Sequence, residues 1–112
     1  MRDPDILPIN FTISDAAKVE IENLRQFWEA DTKDRAAVVM VAWGLFTSNA
    51  GRKWENVIIS FYGESQFAEV AHGVQEASGL PVLFFTTPEY HPKFEGKVVD
   101  HDEGKGFFLR HP

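Results

Sequence analysis

The sequence predicts a mainly β domain of the α+β class that carries one amphipathic helix near its N-terminus. One segment near the start has apolar residues at helical spacing. The rest contains short β-branched and aromatic runs bounded by glycine and proline. A chain of 112 residues that is 44% hydrophobic fits a single domain over 1–112, and it can bury a core without disulfides or metals.

The helix is expected over residues 14–30. Ser14 is a suitable N-cap because its hydroxyl oxygen can accept a hydrogen bond from a free amide of the first turn. Asp15 places a negative charge at the positive end of the helix dipole. One face carries the apolar residues Ala17, Ile21, Leu24 and Trp28, and another carries Lys18, Glu22, Arg25 and Glu29.

Most of the remaining chain is assigned to strands and loops. Residues 1–10, with two prolines, are expected to be extended, and 31–35 to form a turn. The predicted strands are 36–46, buried on both faces, then 57–62, 81–86, 97–100 and 106–109. Residues 47–56 are expected to form a loop. Residues 65–78 have helical spacing but contain Gly73, and we favour a strand around 70–76.

Composition narrows the possible partners. Seventeen acidic and eleven basic residues give a net charge of −6, which argues against nucleic acid or an anionic membrane as the main partner. The start, MRDPDILPIN, lacks the apolar region of a signal peptide, and no apolar run is long enough to span a membrane. A cytoplasmic protein is therefore expected.

Few residues suggest catalysis. The sequence has no cysteine, which excludes a thiol nucleophile, a disulfide and cysteine-ligated iron or zinc. No serine lies in a nucleophile-elbow pattern, and both phosphate-binding glycine motifs are absent. We therefore do not expect an enzyme, and no cofactor is assigned.

The histidines are the remaining candidates for chemistry. His101 lies between two aspartates, and imidazole with carboxylate can bind Zn²⁺ or Fe²⁺. The weak metal candidates are thus His101, Asp102 and His111, but DHDEGKG is also typical of a charged β-turn, the interpretation we favour. His72 and His91 lack the i, i+4 partner of a helical metal motif.

Aromatic residues flank the predicted loop. Trp43, Phe46 and Trp54 flank its 47–53 part, where an exposed aromatic side chain can serve an oligomer or partner surface. Packing in the core is the interpretation we favour for the aromatic residues, and a partner surface at these three is the alternative.

Three stretches together resemble the HesB/IscA-type domain, the A-type iron–sulfur carriers. FTISDAAKVEIENL (11–24) is similar to that family's opening strand and helix. GLFTSNAGR (44–52) is similar to its G-x-x-T-S-G-C-S-G loop. GLPVLFF, FEGKVVD and GFFLRHP follow in the family's order, and Gly96 and Asp100 match its G-x-x-x-D spacing.

The resemblance implies a β-sandwich-like (pseudo-barrel) domain that self-associates and carries a [2Fe–2S] cluster or iron on three cysteines. None of these ligands carries over. Ala50 stands at the loop-cysteine position, flanked by Thr47, Ser48, Asn49 and Gly51. The chain ends at Pro112, where the family pattern continues into a tail with the other two cysteines. A methyl group cannot bind iron.

We therefore expect a HesB-like domain without cluster ligands. It would act as a protein-interaction or accessory module related to iron–sulfur cluster biogenesis, and its partners would be assembly components or a second copy in a homodimer. The alternatives are a metal-binding protein that uses histidine and carboxylate, and a small-ligand binder on the same fold.

Overall fold

The computed structural model describes residues 6–112, which form two β-sheets and one long helix. The four-stranded sheet has the order β3-β2-β5-β4, and the three-stranded sheet has the order β1-β6-β7. The architecture is mixed α+β and mostly strand, in agreement with the mainly β prediction. Part of the predicted extended segment 1–10 lies outside the described residues, and residues 6–11 are irregular.

The long helix α1 spans Asp15–Thr32 and confirms the prediction, with its end two residues later than expected. Ser14 caps it, since its Oγ accepts a hydrogen bond of 3.1 Å from the amide of Ala17. Lys33 ends the helix with a left-handed φ of 60°, and its amide binds the carbonyl of Glu29.

The four-stranded sheet is built around β2. The strands are β2 (Ala36–Thr47), β3 (Lys53–Gly63), β4 (Val74–Ala77) and β5 (Leu80–Phe85). β2 pairs antiparallel with β3 and parallel with β5, and β4 closes the other edge by pairing antiparallel with β5. The β4–β5 turn is a tight two-residue connection in which Ser78 and Gly79 both have positive φ, as a type I′ turn requires.

The expected loop over 47–56 is wrong in its length. The strand β3 begins at Lys53, so the connection comprises only residues 48–52. Residues 53–56 are polar and aromatic, which is typical of a loop, but cross-strand pairing with β2 from Phe46↔Trp54 to Gly44↔Asn56 holds them extended. The expectation that 36–46 is buried on both faces holds only near its start, where Val38 and Val39 are both buried.

The preference for a strand around 70–76 is correct only from Val74 onward. Residues 64–73 form three consecutive helical turns, of which the middle one is α2 (Phe67–Val70). The helical spacing of the apolar residues in this stretch correctly indicates helical turns. Gly73 ends the last turn instead of interrupting a helix, and a Cβ there would lie 3.1 Å from Cδ1 of Leu83.

The three-stranded sheet joins the two ends of the described chain. Its strands are β1 (Thr12–Ile13), β6 (Val98–Asp102) and β7 (Gly106–Arg110), and a short helix α3 (His91–Phe94) precedes β6. β1 runs parallel to β6, and β7 runs antiparallel to it. The predicted strands 81–86, 97–100 and 106–109 are confirmed with shifts of one or two residues at their ends.

Aromatic rings fill the centre of the core. Phe11, Phe84 and Phe94 contact one another at centroid distances of 4.9–5.3 Å. Val41 of β2 and Val99 of β6 are completely buried around them. The two sheets and α1 therefore share one apolar core.

Ser14 also connects α1 to the three-stranded sheet. Its hydroxyl donates a hydrogen bond of 2.6 Å to Oδ1 of Asp100 in β6, and Arg110 in β7 binds Oδ2 of the same carboxylate at 2.6 Å. The hydroxyl of Ser14 and, next, the guanidinium of Arg110 lower the pKa of Asp100 from 3.8 to about 2. One carboxylate thus links the helix start to two strands.

No helix within residues 6–112 combines the length and the apolar character needed to cross a membrane.

Replacement of the capping serine is expected to destabilise the fold. Ser14→Ala removes both the cap and the hydrogen bond to Asp100, so the free energy of unfolding is expected to fall by roughly 2 kcal/mol in urea denaturation. Ser65→Ala is a matched control, because Ser65 donates a similar 2.5 Å bond to Asp34 at an exposed site but caps no long helix. A loss no larger than the control's would contradict the dual role of Ser14.

The contribution of Asp100 is expected to depend on pH. Its pKa is lowered in the folded chain, so its stabilisation is complete above about pH 4 and is lost as the pH falls towards 2. Solvent around the Arg110 side chain limits this contribution to the order of 1 kcal/mol. The difference in stability between the parent and Asp100→Asn should therefore shrink over that range, and a constant difference would contradict the assignment.

Candidate functional site

The β2–β3 connection is a three-residue hairpin loop with Ala50 at its tip. The amide of Ser48 binds the carbonyl of Arg52 at 2.8 Å, and the amide of Gly51 binds the carbonyl of Ser48 at 2.9 Å. Gly51 has a φ of +84°, which a type I turn followed by a bulge requires at this position. Asn49 and Ala50 occupy the central turn positions and are exposed.

The loop offers little chemistry. The Ser48 hydroxyl accepts a hydrogen bond of 3.1 Å from the amide of Arg52, so it supports the turn. Ala50 presents a methyl group, and a shallow hollow of about 520 Å³ beside it is lined by Ser48, Ala50, Arg52 and Trp54. The side chains around Ala50 favour contact over catalysis.

Three aromatic side chains were predicted around the loop, and the structure divides them between two faces of the hairpin. Phe46 and Trp54 stack on one face at a centroid distance of 5.5 Å and an interplanar angle of 16°. Trp43 lies on the other face, where it packs edge-on against Phe94 and donates a hydrogen bond of 3.0 Å to Glu55. Trp43 therefore belongs to the core margin, whereas Trp54 belongs to the surface.

The outer half of the hairpin exposes apolar side chains. Leu45 is 67% exposed and Trp54 is 44% exposed, although strands usually direct such residues inward. They line a hollow of about 440 Å³ together with Phe46, Thr47, Lys53 and Glu55. Leu45 lies on the face that carries Trp43, and Phe46 and Trp54 lie on the other. We call Leu45, Phe46 and Trp54 together the hairpin surface. An exposed apolar group held on a rigid hairpin is typical of a protein-interaction site.

The candidate metal residues do not converge. His101 lies in β6, and its Nε2 is 3.9 Å from Oε2 of Glu20 in α1, while its ring packs on Phe107 at 4.9 Å. Asp102 accepts a hydrogen bond of 2.8 Å from the amide of Gly104 within the β6–β7 turn. The interpretation of DHDEGKG as a charged turn is therefore confirmed over its second half.

His111 follows the end of β7, and its carbonyl accepts a hydrogen bond from Arg110. Within residues 6–112, the structure gathers no group of three or more histidine and acidic side chains that could hold a metal ion. The hollow next to Ala50 is lined by neither His101 nor His111. Within the described part of the chain, the structure therefore does not gather His101, Asp102 and His111 into one group around the loop.

The other two histidines are placed by the fold. His91 starts α3, and its Nε2 lies 2.8 Å from the carbonyl oxygen of Pro8, so it fastens the N-terminal segment. His72 lies in the last helical turn before β4 and lines a small apolar cleft with Ile6, Leu83 and Phe85. That cleft has about 220 Å³, less than the roughly 300–1,000 Å³ of common ligand pockets.

Sequence reasoning did not find the Ser14–Asp100–Arg110 cluster. The sequence draws attention to Asp100 through its spacing from Gly96 and its position beside His101, and it gives no sign of a role for Arg110. Asp100 and Arg110 are ten residues apart in sequence. They meet because they are diagonal neighbours on paired strands, with Asp100 opposite Phe108 and Arg110 opposite Val98. A period-two reading of both strands with a turn at 103–105 would have brought them close.

No model of a known protein family matches this sequence, and no curated protein matches it.

Metal titration is expected to give no site that depends on histidine. The Glu20 oxygen near His101 Nε2 is 3.9 Å away, and residues 6–112 contain no group of three possible ligands. Zn²⁺ added to the parent should therefore produce the same weak heat in calorimetry as Zn²⁺ added to His101→Ala and His111→Ala. A saturable one-to-one isotherm that His101→Ala abolishes would contradict this.

Proposed function

We propose that the chain is a HesB-like domain without cluster ligands that works as a non-catalytic protein-interaction module. Its partner in this proposal is a component of iron–sulfur cluster assembly, and self-association is part of the same activity. The observation that carries the proposal is the hairpin surface, where Leu45 and Trp54 are exposed beside a loop that offers no metal ligand.

The order of the elements supports the family part of the proposal. A short strand, a capped helix and a long hairpin follow one another, and GFFLRHP falls on the last strand. The hairpin loop coincides with the stretch that resembles the family's loop, and Ala50 lies at its tip. Carriers of the family use this loop to hold metal. A methyl group in its place leaves contact with other proteins as the use that fits the surrounding side chains.

The charge of the protein supports a protein partner over a nucleic acid. The net charge is −6, and Arg25 and Arg110 are paired with carboxylates. Arg52 and Lys53 stand at the hairpin, next to apolar side chains. An apolar centre with a few charges around it is the usual composition of a protein–protein contact.

A charge placed in the hairpin surface is expected to abolish partner binding. Leu45→Asp should weaken the binding of the chain to its assembly partner at least tenfold in biolayer interferometry, because burial of a leucine contributes about 2 kcal/mol. Phe27→Asp is the matched control, since Phe27 is 76% exposed on α1 and away from the hairpin. The assembly link fails if the parent binds no assembly component of its source organism, or if both variants lose equal affinity.

Anaerobic reconstitution with iron and sulfide is expected to produce no visible cluster absorption. The chain contains no cysteine, and within residues 6–112 no alternative group of three ligands comes together. A stable, coloured protein after desalting would contradict the proposal that the domain has no cluster.

A further inference from the structure

We propose that a second copy of this chain pairs antiparallel with the free edge of β3, on a two-fold axis that passes between the two Trp54 residues. This inference deepens the self-association in the proposed function and rests on that part of it. It does not depend on any assembly protein. The surface is the segment 52–56 at the start of β3, which is the outer strand of its sheet.

The first argument is that this half of β3 is open. Lys53, Trp54 and Glu55 are exposed, and burial begins only at Val57. β2 pairs with one side of β3, and among residues 6–112 no strand pairs with its other side, so the exposed start of β3 at 53–55 has a free edge. An exposed edge strand of this kind is a template for another strand.

The second argument is the direction of the backbone groups. In the hairpin, the hydrogen bond from the amide of Ser48 to the carbonyl of Arg52 makes 48 and 52 a hydrogen-bonded pair. Antiparallel pairs alternate, so Phe46↔Trp54 is hydrogen-bonded and Thr47↔Lys53 and Leu45↔Glu55 are not. The amides and carbonyls of Lys53 and Glu55 therefore point away from β2, towards the free edge.

The third argument is charge. A two-fold axis at Trp54 places each Lys53 opposite the Glu55 of the other copy, so the outward backbone groups and two pairs of opposite charges match at once. A two-fold axis at Lys53 would place the two Lys53 side chains opposite each other. An axis at Glu55 would place the two Glu55 side chains opposite each other. Like charges directly opposite each other destabilise a sheet. The sequence Lys53-Trp54-Glu55 thus selects one register.

The fourth argument is the aromatic row. Trp54 would face Trp54 of the other copy as a non-hydrogen-bonded pair, in which the Cα atoms are about 4.5 Å apart and the side chains are close. Each Trp54 already stacks on Phe46 of its own hairpin. Pairing would join the two stacks into four aromatic rings on one face of a continuous sheet.

Charge reversal tests the register. The oligomeric state of the purified chain is measured by sedimentation equilibrium over a range of concentrations, and a dimer is expected. Lys53→Glu alone should raise the dimer dissociation constant by at least about tenfold, because both opposite-charge pairs become like-charge pairs. Combining it with Glu55→Lys should restore dimerisation. The proposal is overturned if the parent is a monomer at every concentration, or if neither substitution changes the dimer dissociation constant.

Cross-linking tests the position of the axis. The chain has no cysteine, so one introduced cysteine can form a disulfide only with a second copy. Trp54→Cys places the two Cα atoms within the 4.4–6.8 Å that a disulfide needs, and mild oxidation is expected to yield a covalent dimer. Asn56→Cys is the matched control. In this register, position 56 of one copy lies opposite position 52 of the other. The two introduced thiols are therefore four residues apart, about 13 Å along the strand, and should not cross-link.

Equal cross-linking at both positions, or at Asn56→Cys alone, overturns the register. Failure of these tests leaves the binding of an assembly partner through Leu45 unaffected, because that experiment measures a different contact. Conversely, the chain can form the expected cross-linked dimer and yet bind no assembly component. That result would contradict the proposed link to cluster assembly and support the edge pairing.

Discussion

The register of β2 is the constraint on which the rest of the structure depends. β2 is the longest strand, and it pairs with β3 over nearly its whole length and with β5 through Val39–Ala42. Because side chains alternate along a strand, this register decides which residues meet the aromatic core and which face outward. It places Val41 at zero exposure, and farther along the strand it leaves Leu45 in solvent.

A second set of contacts attaches the helix and the smaller sheet to this frame. Ser14 caps α1 and binds Asp100, and Arg110 completes the same cluster from β7. The amide of Ile13 binds the Ser78 hydroxyl at 2.9 Å, which connects β1 to the β4–β5 turn. The bonds of Ser14 to Asp100 and of Ile13 to Ser78 thus join elements that do not pair with each other as strands. The hairpin end lies outside these contacts and presents apolar side chains and backbone groups to a partner.

The sequence predicted the elements that local chemistry dictates. Ser14, Asp15 and the apolar stripe give α1, and the short apolar runs give β5, β6 and β7 within two residues. It failed where pairing over long separations decides the outcome. Lys53–Asn56 has the composition of a loop, yet hydrogen bonds to β2 make it strand. The candidate metal residues His101 and Asp102 are adjacent in sequence, but their side chains take different partners. Asp102 accepts a hydrogen bond within the turn, whereas His101 packs on Phe107 and approaches Glu20.

The sequence by itself determined three properties: it has no cysteine and so no thiolate, one capped helix precedes most of the strands, and the net charge is negative. Each depends on residue type or on spacing of a few positions, which the chain shows directly. Only the tertiary structure decided that Ala50 stands at the tip of a projecting hairpin, that Leu45 and Trp54 are exposed, and that Lys53 and Glu55 turn their backbone groups to a free edge. These features depend on which strands pair and in what register, and that is fixed by contacts between residues far apart in the chain.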